Sequence, residues 1–342
     1  MVGLQPRRTL ATEWNFASGG RRWRPIGGPV EIAEGRRRAY GVAVMAGEQI
    51  DWSIVGAEGQ PILGTVHVPY GNVRALGAAL ICHGFKGYKD YGFIPYLADH
   101  LAQHGLATLR FNFSHNGFAN NLSAFEQSAM FERTDLFERD TYGKQITDLT
   151  CVLRELCDGG IPGIERRHLP IFFFGHSRGG VTALLATSRL AEDPRGLPLP
   201  SGVIIAATPA DACGLSEQDK QRLHGQGYLE SPSSRTGQVL RIGRRWLREM
   251  ELNPAAHNPV LAIAHLPCPA LILHGEQDQT VSVDAARTLA EAAGPAGELQ
   301  IITGASHTFN APNPMAISGQ AVIQTDEMTR HVCRFVVDLC RT

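Results

Sequence analysis

The chain has 342 residues, of which 43% are hydrophobic and 19% are charged, an ordinary composition for a soluble globular protein. Its 32 basic and 33 acidic side chains give a net charge of −1, so the overall charge does not favour nucleic acid or an anionic membrane as a partner. No apolar stretch approaches the ~18 residues that span a bilayer, and we therefore expect no membrane partner.

Residues 1–38 show little hydrophobic periodicity and are rich in Arg, Gly and Pro. The first thirty positions contain one acidic residue, Glu13, and five arginines. The arginines are Arg7, Arg8, Arg21, Arg22 and Arg24. This composition predicts a basic N-terminal extension, mobile or partly covering the rest of the protein, with an organellar transit peptide as the alternative. A single domain is then predicted over residues 39–342.

The first predicted elements of this domain are two strands, Gln49–Val55 and Ile62–Val68, which alternate at period two and form an antiparallel hairpin. Strand and helix then alternate. Strands are predicted at Ala78–Cys82, Leu106–Phe113, Leu169–Phe174, Gly202–Ala206, Ala270–Leu273 and Glu298–Ile302, and helices near Phe93–His104, Tyr142–Cys157 and Gly180–Ala186. This alternation predicts the α/β class, with a mostly parallel twisted sheet and helices on both faces.

Two long insertions interrupt the alternation, at residues 114–141 and at about 208–265. Both leave from the carboxyl ends of predicted strands, where ligands collect in parallel sheets, so both should border the active site. We predict that 208–265 is a largely helical lid. Within it, Gln238 to Glu251 has the pattern of an amphipathic helix.

The pentapeptide Gly175-His176-Ser177-Arg178-Gly179 lies between a predicted buried strand and a predicted helix. Strand, sharp turn and helix together indicate a nucleophile elbow, because the flanking glycines let the two elements approach closely and expose the serine hydroxyl. Ser177 is therefore the candidate nucleophile. The alternative is a chance serine in a glycine-rich turn.

Two further strand ends supply the partners that such a serine needs. Asp278 follows the strand that begins at Ala270, and His307 follows the strand that ends at Ile302. The order Ser, Asp, His is the one that this kind of elbow requires. Alternatives remain: Asp278 can cap the next helix, Glu276 can be the acid instead, and His307 can be a surface histidine.

The strand Ala78–Cys82 ends in His83-Gly84-Phe85. This turn can direct the Phe85 N–H towards the nucleophile, and the Arg178 N–H supplies a second donor for an oxyanion hole. We expect His83 to orient this loop, with a role as base as the alternative.

The remaining histidines and basic residues near these strand ends have more ordinary interpretations. His176 and His274 are expected to be structural. Lys86 and Lys89 are expected to be surface charges, with substrate contact as the alternative. Arg235 is interpreted as a solvated charge or as part of a basic rim that favours acidic substrates.

The mechanism follows from these residue types. A serine hydroxyl is a poor nucleophile at neutral pH and needs an adjacent base, here His307, whose tautomer Asp278 would hold. We expect no metal and no organic cofactor. The seven cysteines lack metal-ligand spacing and are expected to be reduced, which predicts a reducing compartment and a cytoplasmic location.

Five segments carry a resemblance to a known family: HGFKGYKDYGFIPYLADHLAQHGLATLRFNFSHNG from His83, GHSRGG from Gly175, SRTGQ from Ser234, HGEQD from His274 and GASHTF from Gly304. Over roughly residues 48–340 the chain resembles α/β-hydrolase serine hydrolases of the prolyl-oligopeptidase-like or cinnamoyl-esterase-like kind. The resemblance implies the α/β-hydrolase fold and a triad of Ser177, Asp278 and His307. Residues 114–117, Ser-His-Asn-Gly, depart from the Arg-Gly-His-Gly-like turn of many such proteins.

We therefore predict a serine hydrolase that cleaves small or medium carboxylic esters through an acyl-serine intermediate, with a small-molecule ester as its partner. Alternatives are a serine peptidase of the aminopeptidase or acyl-peptidase kind, acyl transfer to an acceptor other than water, and a binding protein that kept the fold without catalysis. The substrate-binding residues and the oligomeric state are not predicted.

Overall fold

A computed structural model of the chain describes residues 47–72, 74–119, 130–165, 168–317 and 319–341. The predicted basic extension at 1–38 lies outside the described residues, as does part of the first insertion. None of the helices within the described ranges is both long enough and apolar enough to cross a membrane.

The strands are β1 Gln49–Val55, β2 Pro61–His67, β3 Gly77–Cys82, β4 Leu106–Asn112, β5 Ile171–His176, β6 Gly202–Ala206, β7 Tyr228–Pro232, β8 Val239–Gly243, β9 Ala270–Gly275 and β10 Gly297–Ile302. The α-helices are α1 Ile94–Gln103, α2 Thr134–Glu138, α3 Tyr142–Asp158, α4 Arg178–Glu192, α5 Glu217–Gln226, α6 Arg244–Leu252, α7 Pro259–Ala264, α8 Val283–Ala293 and α9 Ile323–Cys340. Short 3-10 turns lie at Ala57–Gly59, Tyr70–Asn72, Ala255–His257 and Gly294–Ala296.

Eight of the described strands form one sheet in the order β1-β2-β4-β3-β5-β6-β9-β10. The β1–β2 hairpin pairs antiparallel, with Gln49 opposite His67, and β2 runs antiparallel to β4. From β4 to β10 all neighbours are parallel. The predicted mostly parallel α/β sheet is thus confirmed. Its parallel strands bring the ends of β3, β5, β9 and β10 to one edge.

Strand β5 shows how the sheet is fixed between two helical layers. Its side chains alternate, so Phe172 and Phe174 pack towards α1 and α9, whereas Phe173 packs towards α3 and α4. All three rings are fully buried, and burying a phenylalanine contributes about 1.5–3 kcal/mol. The elbow that follows β5 therefore extends from one of the best-anchored strands of the core.

The insertion at 208–265 differs from the prediction. It contains α5, α6 and α7, but β7 and β8 form an antiparallel hairpin between α5 and α6. Helix α6 begins at Arg244, and the predicted helical start at Gln238 is wrong. Apolar residues in Val239–Gly243 are spaced two apart as well as three apart, and Leu240 is fully buried while Val239 is 57% exposed. Pairing with β7 therefore decides in favour of a strand.

The seven cysteines are free thiols. Burial raises the pKa of Cys268 to about 11 and that of Cys333 to about 12, so these thiols stay protonated and unreactive at neutral pH. The cytoplasmic location stays a prediction.

Candidate active site

The backbone is strained where β5 turns into α4. Ser177 lies between the two elements with φ 54° and ψ −122°, a conformation that costs a non-glycine residue free energy and is found mainly at functional sites. Its N–H donates to the Ala206 carbonyl at 2.8 Å. The turn is therefore tied to the neighbouring strand β6, and the serine side chain stands at the carboxyl end of the sheet.

Close backbone packing explains the glycines beside Ser177. A methyl group on Gly175 would overlap the Gly179 carbonyl, and one on Gly179 would overlap the carbonyl oxygens of Cys82 and His83. The elbow thus packs directly against the end of β3. Only residues without a Cβ can hold the two backbones at this distance.

We expect Gly179→Ala to displace the elbow from the end of β3. The added methyl group meets backbone atoms, which cannot rotate away, so the change should lower the free energy of unfolding by about 1–3 kcal/mol or more and abolish most of the ester hydrolysis that the sequence predicts. Chemical denaturation and ester hydrolysis measure the two effects. Gly225→Ala is the matched control, because nothing lies within 4 Å of a methyl group there; an equal loss in both variants would contradict this account.

Asp278 and His307 meet although 29 residues separate them. His307 Nδ1 lies 2.7 Å from Asp278 Oδ2, and Oδ1 of the same carboxylate accepts from the N–H groups of Thr280 and Val281 at 2.8 and 3.0 Å. Burial alone would raise the pKa of Asp278, but hydrogen bonds from His274 and His307, and that of the Val281 N–H, hold it below its ordinary value. The carboxylate is therefore ionised at neutral pH.

The structure also decides between the candidate acids. Glu276 accepts from the Gly304 N–H at 3.0 Å and is exposed, whereas the contact to His307 is made by Asp278. The interpretation of Asp278 as a helix cap is wrong, because Ser282 caps α8 through a hydrogen bond from the Asp284 N–H.

Two histidines that are expected from the sequence to be structural support this pair, although the sequence did not predict their partners. His274 is fully buried, and its Nε2 lies 3.0 Å from the Val281 carbonyl and 3.3 Å from Asp278 Oδ2. His176 Nε2 donates to the backbone carbonyl of His307 at 2.9 Å, and burial lowers the pKa of His176 to about 3, so it stays neutral. The position of both histidines at the end of a strand was the one sequence feature that could have indicated this role.

Ser177 and His307 line the same cavity, which has a volume of about 210 Å³. Within the described part of the chain, Ser177 forms no hydrogen bond to His307. In unliganded enzymes the catalytic hydrogen bond is often long or poorly aligned, and it forms fully only when substrate binds. The three predicted residues are thus brought to one site.

The loop after β3 lies against the elbow. A methyl group on Gly84 would be 3.1 Å from Ser177 Cβ and 3.2 Å from the His176 carbonyl oxygen. The next residue, Phe85, lines the cavity, and neither its N–H nor the Arg178 N–H has a hydrogen-bond partner among the described residues. Both candidate oxyanion donors are therefore available beside the serine.

His83 lies behind this loop. Its Nδ1 donates to the Gly84 carbonyl at 2.9 Å, and its Nε2 accepts from the Phe113 N–H at 3.3 Å. Burial lowers its pKa to about 4, and it is absent from the described lining of the cavity. These contacts favour the loop-orienting role over that of a base. Asn116, in the divergent Ser-His-Asn-Gly turn, adds a contact to His83 Nε2 at 3.3 Å.

The side chain of Arg178 is buried between the two insertions. Its guanidinium carbon lies 5.0 Å from the Tyr142 ring centroid and 5.6 Å from those of Phe85 and Trp246, and Nη2 lies 3.3 Å from Asp140 Oδ2. Cation–π contacts of this length are attractive. One candidate oxyanion residue therefore contacts the ring of the other.

The prediction that Lys89 is a surface charge is wrong. The side chain of Lys89 is only 3% exposed. Its Nζ donates to Asp90 and Thr65 at 2.8 and 3.0 Å. Lys86 does reach the cavity and donates to the Pro232 carbonyl at 2.7 Å.

The sheet order, the strained serine after β5 and the histidine–carboxylate pair after β9 and β10 define one class of protein. The sequence model of an alpha/beta hydrolase family matches residues 79–318, and the chain therefore belongs to the alpha/beta hydrolase family. No curated protein matches the chain at a significant level.

Solved structures show the same fold. Est1E from Butyrivibrio proteoclasticus with ferulic acid bound is 17% identical, has a TM-score of 0.60 and matches over 84% of this chain and 99% of its own. An esterase domain from a Rhodothermus marinus protein is 18% identical, with a TM-score of 0.55 over 85% and 98%. A soluble variant of monoglyceride lipase from Saccharomyces cerevisiae, in complex with a substrate analog, is 15% identical, with a TM-score of 0.60 over 88% and 97%.

Proposed function

We propose that the protein is a serine hydrolase that cleaves small or medium carboxylic esters through an acyl-serine intermediate. The observation that carries this proposal is the 2.7 Å contact between Asp278 and His307, made beside a cavity that Ser177 shares. Nucleophile, base and orienting acid are then Ser177, His307 and Asp278.

The contact between His307 and Asp278 indicates which nitrogen of the imidazole carries the proton. Because Nδ1 of His307 donates to Asp278, Nε2 of the neutral imidazole is left as the basic nitrogen. It would take the Ser177 proton as Oγ attacks the ester carbonyl carbon, and the imidazolium would return that proton to the departing alkoxide oxygen. Water then attacks the acyl-serine through the same base and releases the carboxylic acid.

The developing negative charge needs donors at the carbonyl oxygen. The N–H groups of Phe85 and Arg178 are fixed by the loop after β3 and by the first turn of α4, so they need no rearrangement when the charge forms. Removal of one such donor typically raises the barrier by about 2.7–4 kcal/mol.

Cavity size supports a small or medium substrate. The volume of about 210 Å³ lies below the roughly 300–1,000 Å³ of pockets that enclose drug-sized ligands. Est1E binds ferulic acid in its solved structure, so aromatic acyl groups belong in the substrate panel beside short aliphatic ones.

Two measurements test the proposal. A fluorophosphonate probe should label Ser177 in the wild type and in Ser234→Ala, which removes another serine of the same cavity, but not in Ser177→Ala. A panel of p-nitrophenyl esters of rising acyl length, run beside aminoacyl-p-nitroanilides, should show ester turnover that exceeds amide turnover. Absence of label would favour a binding protein, and faster amide turnover would favour a peptidase.

A further inference from the structure

Arg235 lies at the tip of the β7–β8 hairpin, in a turn that is tightly fixed. The Ser233 N–H donates to the Gln238 carbonyl and the Gly237 N–H donates to the Ser233 carbonyl, both at 2.8 Å. The Gln238 side chain makes two hydrogen bonds to the Phe131 backbone, at 2.8 and 3.0 Å. The turn therefore has a defined position relative to the first insertion.

An aromatic cage holds the Arg235 side chain. Its guanidinium carbon lies 5.1 Å from the ring centroid of Tyr88, 5.4 Å from that of Phe131 and 5.5 Å from that of Phe118. Each of these distances is within the range of cation–π attraction. The rings restrict a long side chain that would otherwise lose much conformational entropy on binding a ligand.

Two cationic side chains are among the described residues that line the cavity containing Ser177. Arg235 and Lys86 line it together with Ser177 and His307, and none of its described lining residues is acidic. Lys86 uses one of the three hydrogen-bond donors of its ammonium group for the Pro232 carbonyl. A carboxylate bound in this cavity would therefore lie close to two cationic side chains.

We propose that Arg235, assisted by Lys86, forms a subsite for a carboxylate carried by the ester substrate, in its acyl group or its leaving group. The inference rests on the proposed function, because it concerns the substrate class of the same cavity. Guanidinium and carboxylate match as planar, bidentate partners. The small cavity places this carboxylate only a few bonds from the ester carbonyl.

Matched ester pairs test the subsite. For the acyl side, monomethyl glutarate is compared with its primary amide, and for the leaving group, para-acetoxybenzoate is compared with para-acetoxybenzamide; in each pair only the charge differs substantially. We expect the wild type to prefer the carboxylate in one pair by about 10-fold or more in kcat/KM. The preference should fall as salt is raised.

Variants identify the residue responsible. Arg235→Gln should lose most of the preference and Arg235→Lys should keep part of it, since the charge remains but bidentate geometry does not. Arg241→Gln is the matched control: Arg241 is exposed on β8, stacks on Tyr228 at 4.1 Å and is not among the described lining residues. It should keep the full preference. Equal rates for carboxylate and amide in both wild-type pairs would overturn the subsite.

A binding measurement separates this inference from the proposed function. Calorimetric titration with glutarate and with glutaramide needs no turnover, so it reports on the subsite even if Ser177 is not labelled by a fluorophosphonate. Tighter binding of glutarate, lost in Arg235→Gln, would support the subsite alone. Ser177-dependent ester hydrolysis without any preference for glutarate over glutaramide would retain the serine hydrolase and refute the subsite.

Discussion

Replacing Ser177 with alanine should lower kcat for p-nitrophenyl esters by about 10⁶-fold, the order seen when a catalytic serine is removed from a complete triad. The change deletes the proposed nucleophilic oxygen and leaves the Arg178 and Phe85 N–H groups in place. Alanine tolerates the positive φ of residue 177 no worse than serine does, so we expect an unchanged free energy of unfolding. Steady-state kinetics and chemical denaturation give the two quantities.

Ser306→Ala is the matched control for this experiment. Ser306 precedes His307, and its hydroxyl accepts from the Asn310 N–H at 3.1 Å, so its loss tests whether any serine near the imidazole suffices. We expect it to keep most of the wild-type kcat. A Ser177→Ala variant with kcat within about tenfold of the wild-type value would show that the serine is not the nucleophile.

Asp278→Asn should lower kcat by about 10⁴-fold, because the amide places the imidazole proton on the wrong nitrogen. Oδ1 of Asp278 accepts from two backbone N–H groups, which can only donate. The amide NH₂ must therefore take the position of Oδ2 and face His307 Nδ1. That nitrogen then has to accept, and the proton moves to Nε2, where the reaction needs a lone pair.

Glu276→Gln is the control for Asp278→Asn, because it makes the same chemical change two residues away. Its carboxylate is exposed and contacts the Gly304 N–H, so we expect kcat close to that of the wild type. The experiment would refute our choice of acid if the Glu276 variant lost the larger share of activity. Labelling by a fluorophosphonate should slow in parallel with kcat in Asp278→Asn.

Local patterns were sufficient for the sheet and for the elbow. Strand β1 was predicted at its observed bounds, and the glycines at 175 and 179 proved to be close-packing positions. A buried strand ending in a tight turn is specified by residues next to one another. Neighbouring residues do not specify the choice between Asp278 and Glu276, because both follow β9. The path of the loop after β10 decides which of the two carboxylates His307 contacts.

Sequence patterns could not specify features that depend on distant partners. Five residues, Val239–Gly243, form a strand because β7 pairs with them, although their spacing also matches a helix. Lys89 is buried, and its Nζ donates to Thr65, which lies 24 residues earlier in the chain. His274 and His176 support the Asp278–His307 pair through contacts 4 and 131 residues along the chain, and a histidine after a strand does not by itself show which partner it finds.

Arg178 has a consequence for protein engineering. Its backbone N–H is a candidate oxyanion donor, while its side chain contacts Asp140 at the end of the first insertion and Trp246 in the second. Transplanting either segment from another hydrolase would therefore also shift the residue that carries this candidate donor. We therefore expect changes in the selectivity of this protein to be accompanied by changes in its turnover number. Libraries that redesign the two segments will need to retain the Asp140–Arg178–Trp246 contacts.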